Sequence, residues 1–134
     1  MRFMLDTNFC IDLLRGRADA AYRRLRSLAP EEAGISCITL AELRVGAAKS
    51  ARPAHQESSI ILFCAPLALA PFDARAAEAY GPIRAALEAA GTPIGPLDTL
   101  IAAHAVSLGA TLVTGNIREF RRVPGLSAEN WLRA

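Results

Sequence analysis

The chain has little of what several enzyme classes require. Its 134 residues include three cysteines, Cys10, Cys37 and Cys64, far apart, odd in number and without a Cys-x-x-Cys spacing. They read as small buried hydrophobes of a reducing compartment, not as a disulfide framework or a zinc site. Histidine occurs twice, at His55 and His104, so no Ser-His-Asp or Cys-His arrangement can be assembled. No glycine-rich phosphate loop precedes a helix. The longest stretch free of formal charge, Thr99 to Ile117, contains His104, Ser107, Gly109 and Asn116, which makes it a poor membrane span. A strand begins at the amino terminus directly, leaving no room for a signal-type segment, and a cytoplasmic protein without a membrane partner is expected. Lysine is almost missing: Lys49 stands alone among the basic residues, the rest being arginine. A formal charge of +2 permits a nucleic-acid partner without requiring one.

What is present fits a single domain over residues 1–134, long enough to bury a core. Arg2-Phe3-Met4-Leu5 is an unalternating apolar run, as in a strand buried on both faces of a parallel sheet. It stops on Asp6-Thr7-Asn8. Helical spacing is expected over 9–14, and over 18–28 with Arg23, Arg24 and Arg26 on the polar face. A second strand is expected over 33–37, followed by a helix carrying Glu42. A helix from Pro53 leads to a third strand over 67–70, and Asp73 caps a long alanine-rich helix reaching about Ala90. Gly81-Pro82 should kink that helix. Pro96 opens another helix, with Asp98 in its first turn, and Thr111-Leu112-Val113-Thr114 forms the last strand. His104 is expected in a core or an interface, His55 on the surface, and Trp131 as a packing anchor for the tail. The expected fold class is α/β, a parallel sheet covered by helices.

Three acids then gather at one edge. Asp6 ends a strand, while Glu42 and Asp98 open helices whose amino ends lie at the carboxyl edge of the sheet, where ligands bind in such folds. Each acid alone has a capping explanation; Thr39 and Glu42 even stand at capping-box spacing. Capping needs no common edge, whereas a hard cation needs oxygen ligands converging from separate elements. With no histidine or cysteine nearby, zinc and iron are disfavoured and Mg²⁺, or Mn²⁺ in its place, is favoured. A carboxylate-held cation of that kind suits phosphodiester hydrolysis by activated water. The basic cluster of Arg15, Arg17, Arg23 and Arg24 reads equally as a solvated helix face or as RNA phosphate contacts.

Leu5-Asp6-Thr7-Asn8, Thr39-Leu40-Ala41-Glu42-Leu43, Ile94 to Ala105, and Leu112-Val113-Thr114 with Arg118-Glu119-Phe120 and Val123-Pro124-Gly125-Leu126 together resemble the PIN domain of VapC-type toxins. That resemblance covers the chain and implies a three-layer α/β/α sandwich and a Mg²⁺-dependent endoribonuclease. It also implies a homodimer, and a VapB-type antitoxin with which the toxin forms a larger assembly. It assigns Asp6, Glu42 and Asp98 to the metal site, with Asn8 and Thr114 supporting. Where many PIN domains carry a fourth acid this chain has Asn116, a weaker ligand or one acting through water, and Glu119 follows a turn later; pairing of Glu119 with a neighbouring arginine is the favoured reading. The alternative function is a PIN-fold subunit that binds RNA or protein without cutting. An aspartyl-phosphate phosphatase is disfavoured because Asn8 stands where its second aspartate would be.

Overall fold

The computed structural model describes residues 1–132. Five parallel strands form one sheet in the order β3-β2-β1-β4-β5, with β1 (Phe3–Leu5) in the middle. β2 (Ala33–Ser36) and β3 (Ala68–Ala70) lie to one side, and β4 (Thr111–Val113) and β5 (Ala128–Glu129) to the other. Register is set by the pairs Met4–Gly34 and Met4–Leu112. Gly34 is required by proximity: a Cβ there would lie 2.4 Å from the Ala68 carbonyl oxygen.

Alternation along the strands sends side chains to two separate cores. Phe3, Leu5, Ile35 and Val113 pack beneath α1 (Thr7–Leu14), α2 (Asp19–Arg26), α3 (Cys37–Lys49) and α4 (Pro53–Cys64), against Phe9, Leu13, Ala21, Leu43, Ile60 and Phe63. Met4 and Leu112 point the other way, toward Ile83 and Leu87 of α5 (Ala74–Ala89), Ile101 and Ala105 of α6 (Pro96–Leu108), and Phe120 of the short α7 (Ile117–Phe120). The expected helix–sheet–helix layering is what forms.

Local chemistry explains the helix ends, with several departures from expectation. Asp6 accepts the Phe9 amide, so α1 starts at Thr7 and not at Phe9. Ser36 accepts the Ile38 amide at 3.0 Å, so β2 ends there and Cys37 already belongs to α3. Thr39 and Glu42 therefore form no capping box. Asp73 caps α5 as expected, and that helix runs unbroken through Pro82. Pro53 and Pro96 occupy first-turn positions. Gly109, at φ 63°, ends α6 in the left-handed region that glycine adopts at little steric cost. Strand β5 was not expected at all. Cys10 is buried, as expected, whereas Cys37 and Cys64 are only half-buried. His55 is on the surface and His104 in the core, its Nδ1 2.8 Å from the Ser36 hydroxyl. That hydroxyl accepts from Ile38 and has its single hydrogen left for Nδ1.

Candidate active site

Strand order makes a switch point. From β1 the chain winds outward through β2 and β3, then crosses to β4 on the opposite side, so the loops leaving β1 and β4 diverge at their carboxyl ends. Such a crevice is where open α/β sheets bind ligands. Asp6 follows β1 and Thr114 follows β4, and both side chains are buried. The Thr114 hydroxyl donates to Asp6 Oδ2 at 2.5 Å, while Oδ1 accepts the Phe9 amide at 2.7 Å. The carboxylate is thus gripped from both sides. Burial nevertheless pushes its pKa up from 3.8 to about 6, against the lowering effect of those two donors, and repulsion from Asp98 and Asp12 adds to the rise.

Glu42 approaches from α3. Its Oε1 accepts the Thr7 hydroxyl at 2.7 Å, and Thr7 Oγ1 lies 3.2 Å from Thr39 Oγ1. Thr7 has one hydrogen, and the shorter contact to a carboxylate takes it, so Thr39 is the donor in the longer one. Thr39 and Thr7 therefore aim Glu42, a role the sequence did not reveal because the capping-box spacing suggested a local partner.

Asp98, half-buried on the first turn of α6, has its pKa raised by burial first and then by the negative charges of Glu42 and Glu119. Asn116 donates its backbone amide to Thr114 Oγ1 at 2.9 Å and its side-chain nitrogen to Glu119 Oε2 at 2.8 Å. Glu119 is thus tied to Asn116 and not to an arginine, contrary to the expected pairing. Asn8 is exposed and makes no side-chain hydrogen bond among the described residues. The arginines divide. Arg15 and Arg17 line a cleft of about 470 Å³ shared with Glu42. Arg24 instead packs over Trp131, 4.3 Å from the ring centroid, and reaches Glu129 at 3.3 Å. Arg23 forms no ion pair among the described residues.

Asp6, Glu42, Asp98 and Glu119 are close enough to repel one another in chain, yet none is ion-paired among the described residues. All the available donors are oxygens. No three His, Cys, Asp or Glu side chains among the described residues stand close enough to hold an ion as they are. An all-oxygen donor set is the chemistry of a hard cation that takes one or two carboxylates, its own waters and a substrate phosphate. With these acids unpaired among the described residues, a divalent cation fits the donor set.

A family model described as the PIN domain matches residues 3–126. The chain belongs to the PIN-domain family. It is 42% identical over 132 residues to Ribonuclease VapC2 of Rickettsia felis, with 98% of each chain covered. It is also 42% identical over 131 residues to the tRNA(fMet)-specific endonuclease VapC of Salmonella typhimurium, again with 98% of each covered. The solved structure of DNA-bound VapBC from Salmonella typhimurium matches with a TM-score of 0.93 and 42% identity over 98% of both chains. This PIN domain is of the VapC type, and its three-layer sandwich is that of the VapBC structure.

Proposed function

We propose that this PIN domain is the toxin of a VapBC-type pair, a cytoplasmic Mg²⁺-dependent endoribonuclease that hydrolyses RNA phosphodiester bonds. The observation that carries the reading is Asp6: a carboxylate 3% exposed, held by two donors, at the switch point, facing further acids with no cationic partner among the described residues. Asp6 and Asp98 would hold the cation, with Glu42 and, more weakly, the Asn116 carbonyl completing the set. When bound, Mg²⁺, or Mn²⁺ in its place, supplies hydroxide at neutral pH and neutralises charge developing on the phosphorus oxygens.

The chain's own groups do the remaining work. Thr114 and the Phe9 amide fix the plane of the Asp6 carboxylate, so little reorganisation is needed on binding. Thr7 occupies Glu42 Oε1, leaving Oε2 as the oxygen available to the cation. The names of the VapC relatives support RNA as substrate, and one of them makes initiator tRNA the first RNA to test. The VapBC assembly supports a VapB-type antitoxin partner. A homodimer, with a larger complex once antitoxin is bound, belongs to the same reading.

The test is cleavage of an RNA panel, including initiator tRNA, by purified chain with Mg²⁺ and with EDTA, beside Asp98→Asn. Cleavage that requires Mg²⁺ and vanishes in Asp98→Asn is expected. A folded parent that binds RNA and cuts none of it is instead a binding subunit.

A further inference from the structure

Beyond the acids, the carboxyl edge carries a second feature of opposite charge. A cleft of about 410 Å³ lies just past β4, walled by Gly115, Asn116, Ile117, Arg118, Arg121 and Asn130. Arg118 and Arg121 are exposed, three positions apart, and neither makes a side-chain hydrogen bond or ion pair among the described residues. Asn130 spends its carbonyl on the Leu132 amide at 2.8 Å, which leaves its amide nitrogen to donate into the cleft. Arg118, Arg121 and Asn130 therefore present hydrogen-bond donors to the cleft. Glu119 is engaged by Asn116, and no acid lines the cleft among the described residues. The cleft is also joined to the reacting centre through one short chain, the Asn116 amide donating to Thr114 Oγ1 and Thr114 to Asp6 Oδ2.

We propose that this cleft is a phosphate subsite, in which Arg118, Arg121 and Asn130 hold a backbone phosphate of the RNA strand beside the bond presented to Asp6 and Asp98. This rests on the ribonuclease reading above. An acid-rich centre repels a polyanion, so the strand needs cationic anchors at the rim. Guanidinium groups meet phosphate oxygens with two parallel hydrogen bonds. An acidic protein segment is the lesser fit, because a protein anchor needs an apolar pocket, and here Ile117 is the one large apolar side chain in the wall.

The test separates binding from cleavage. A short labelled single-stranded RNA is titrated by fluorescence anisotropy, over a range of salt, against the full chain carrying Asp98→Asn so that nothing is cut. Adding Arg118→Ala and Arg121→Ala together should raise Kd about tenfold and lower the slope of log Kd against log salt by about 0.7, the loss of one neutralised phosphate on a single strand. Arg118→Lys with Arg121→Lys should restore the slope. Arg84→Ala, which removes an arginine already paired with Glu88 on α5, should change neither quantity. Unchanged Kd and slope in the double alanine variant overturn the subsite, as does a variant that binds RNA normally and loses only the antitoxin. If the parent never cuts RNA while the double variant still loses RNA affinity, the nuclease reading falls and the subsite stands.

Discussion

At the scale of single residues, the candidate site trades stability for function. Asp6 has its pKa raised to about 6 against 3.8 when unfolded, so its folded form holds a proton more tightly. Its contribution to stability is thus fully present below pH 3.8 and lost as pH rises through about 6. Near neutrality the buried charge costs about 3 kcal/mol, at roughly 1.4 kcal/mol per pKa unit. Asp6→Asn should therefore abolish cleavage and, in EDTA, leave the protein at least as stable as the parent at pH 7.5, its relative advantage shrinking toward pH 4.5. Urea unfolding at both values measures this, and a variant destabilised by more than about 1 kcal/mol at pH 7.5 would contradict it. The same carboxylate predicts that Mg²⁺ raises the parent's melting temperature at pH 7.5 much more than at pH 5, where protons compete for Asp6. Glu119→Gln keeps an oxygen for the Asn116 amide but removes a charge felt by Asp98. It should raise the Mg²⁺ concentration for half-maximal cleavage a few-fold, and Asn116→Asp should lower it. Equal requirements in all three proteins would remove Asn116 and Glu119 from the metal site.

At the scale of elements, Ser36 links three of them. It ends β2, caps α3 and gives its hydrogen to His104 of α6, in the core on the far side of the sheet. Ser36→Ala loses a cap, about 1 kcal/mol, and strands a buried imidazole nitrogen, about 1–3 kcal/mol more. A loss of roughly 2–4 kcal/mol in urea unfolding is expected, with the Mg²⁺ requirement for cleavage unchanged. Burial lowers the pKa of His104, against the opposing pull of Asp73 and the Pro71 carbonyl. Its neutral form is the folded one, so stability is present above the ordinary pKa of 6.5 and falls as pH drops below it. Asp6 acts in the opposite direction over the acid range. Asp98, its pKa also raised, opposes it too, so the histidine slope is best read in an Asp6→Asn, Asp98→Asn background, where stability should decline from pH 7 to pH 5.5 and a flat profile would count against it. Helix starts were largely legible, since Pro53, Asp73 and Pro96 act on their own next few residues. Ser36 was not, because Ile35-Ser36-Cys37 continues an apolar run and nothing local marks where strand becomes helix.

At the scale of the whole molecule, the tail closes the sheet beside the site. Strand β5 extends it past β4, and Trp131 packs edge-on against Phe3 at 5.1 Å and Phe9 at 6.0 Å, with Arg24 over its face. Phe9 is the residue whose amide holds Asp6. Trp131→Phe should cost less than Trp131→Ala, for which about 3–5 kcal/mol is expected. Both should weaken Mg²⁺-induced stabilisation if the Phe9 amide shifts; a large loss of stability with metal response intact would show that the tail supports the core alone. The central apolar strand, the acid at its end, the acid-bearing helix starts and the α/β class were legible along the chain, because these depend on runs and caps a few residues long. Folding alone brings Thr114 across 108 positions to Asp6, Thr7 to Glu42 and Arg24 to Trp131, and pairs Ala128-Glu129 as a strand. Those contacts depend on strand order, which is settled by how the crossovers bury both faces of the sheet together and leaves no mark on neighbouring residues.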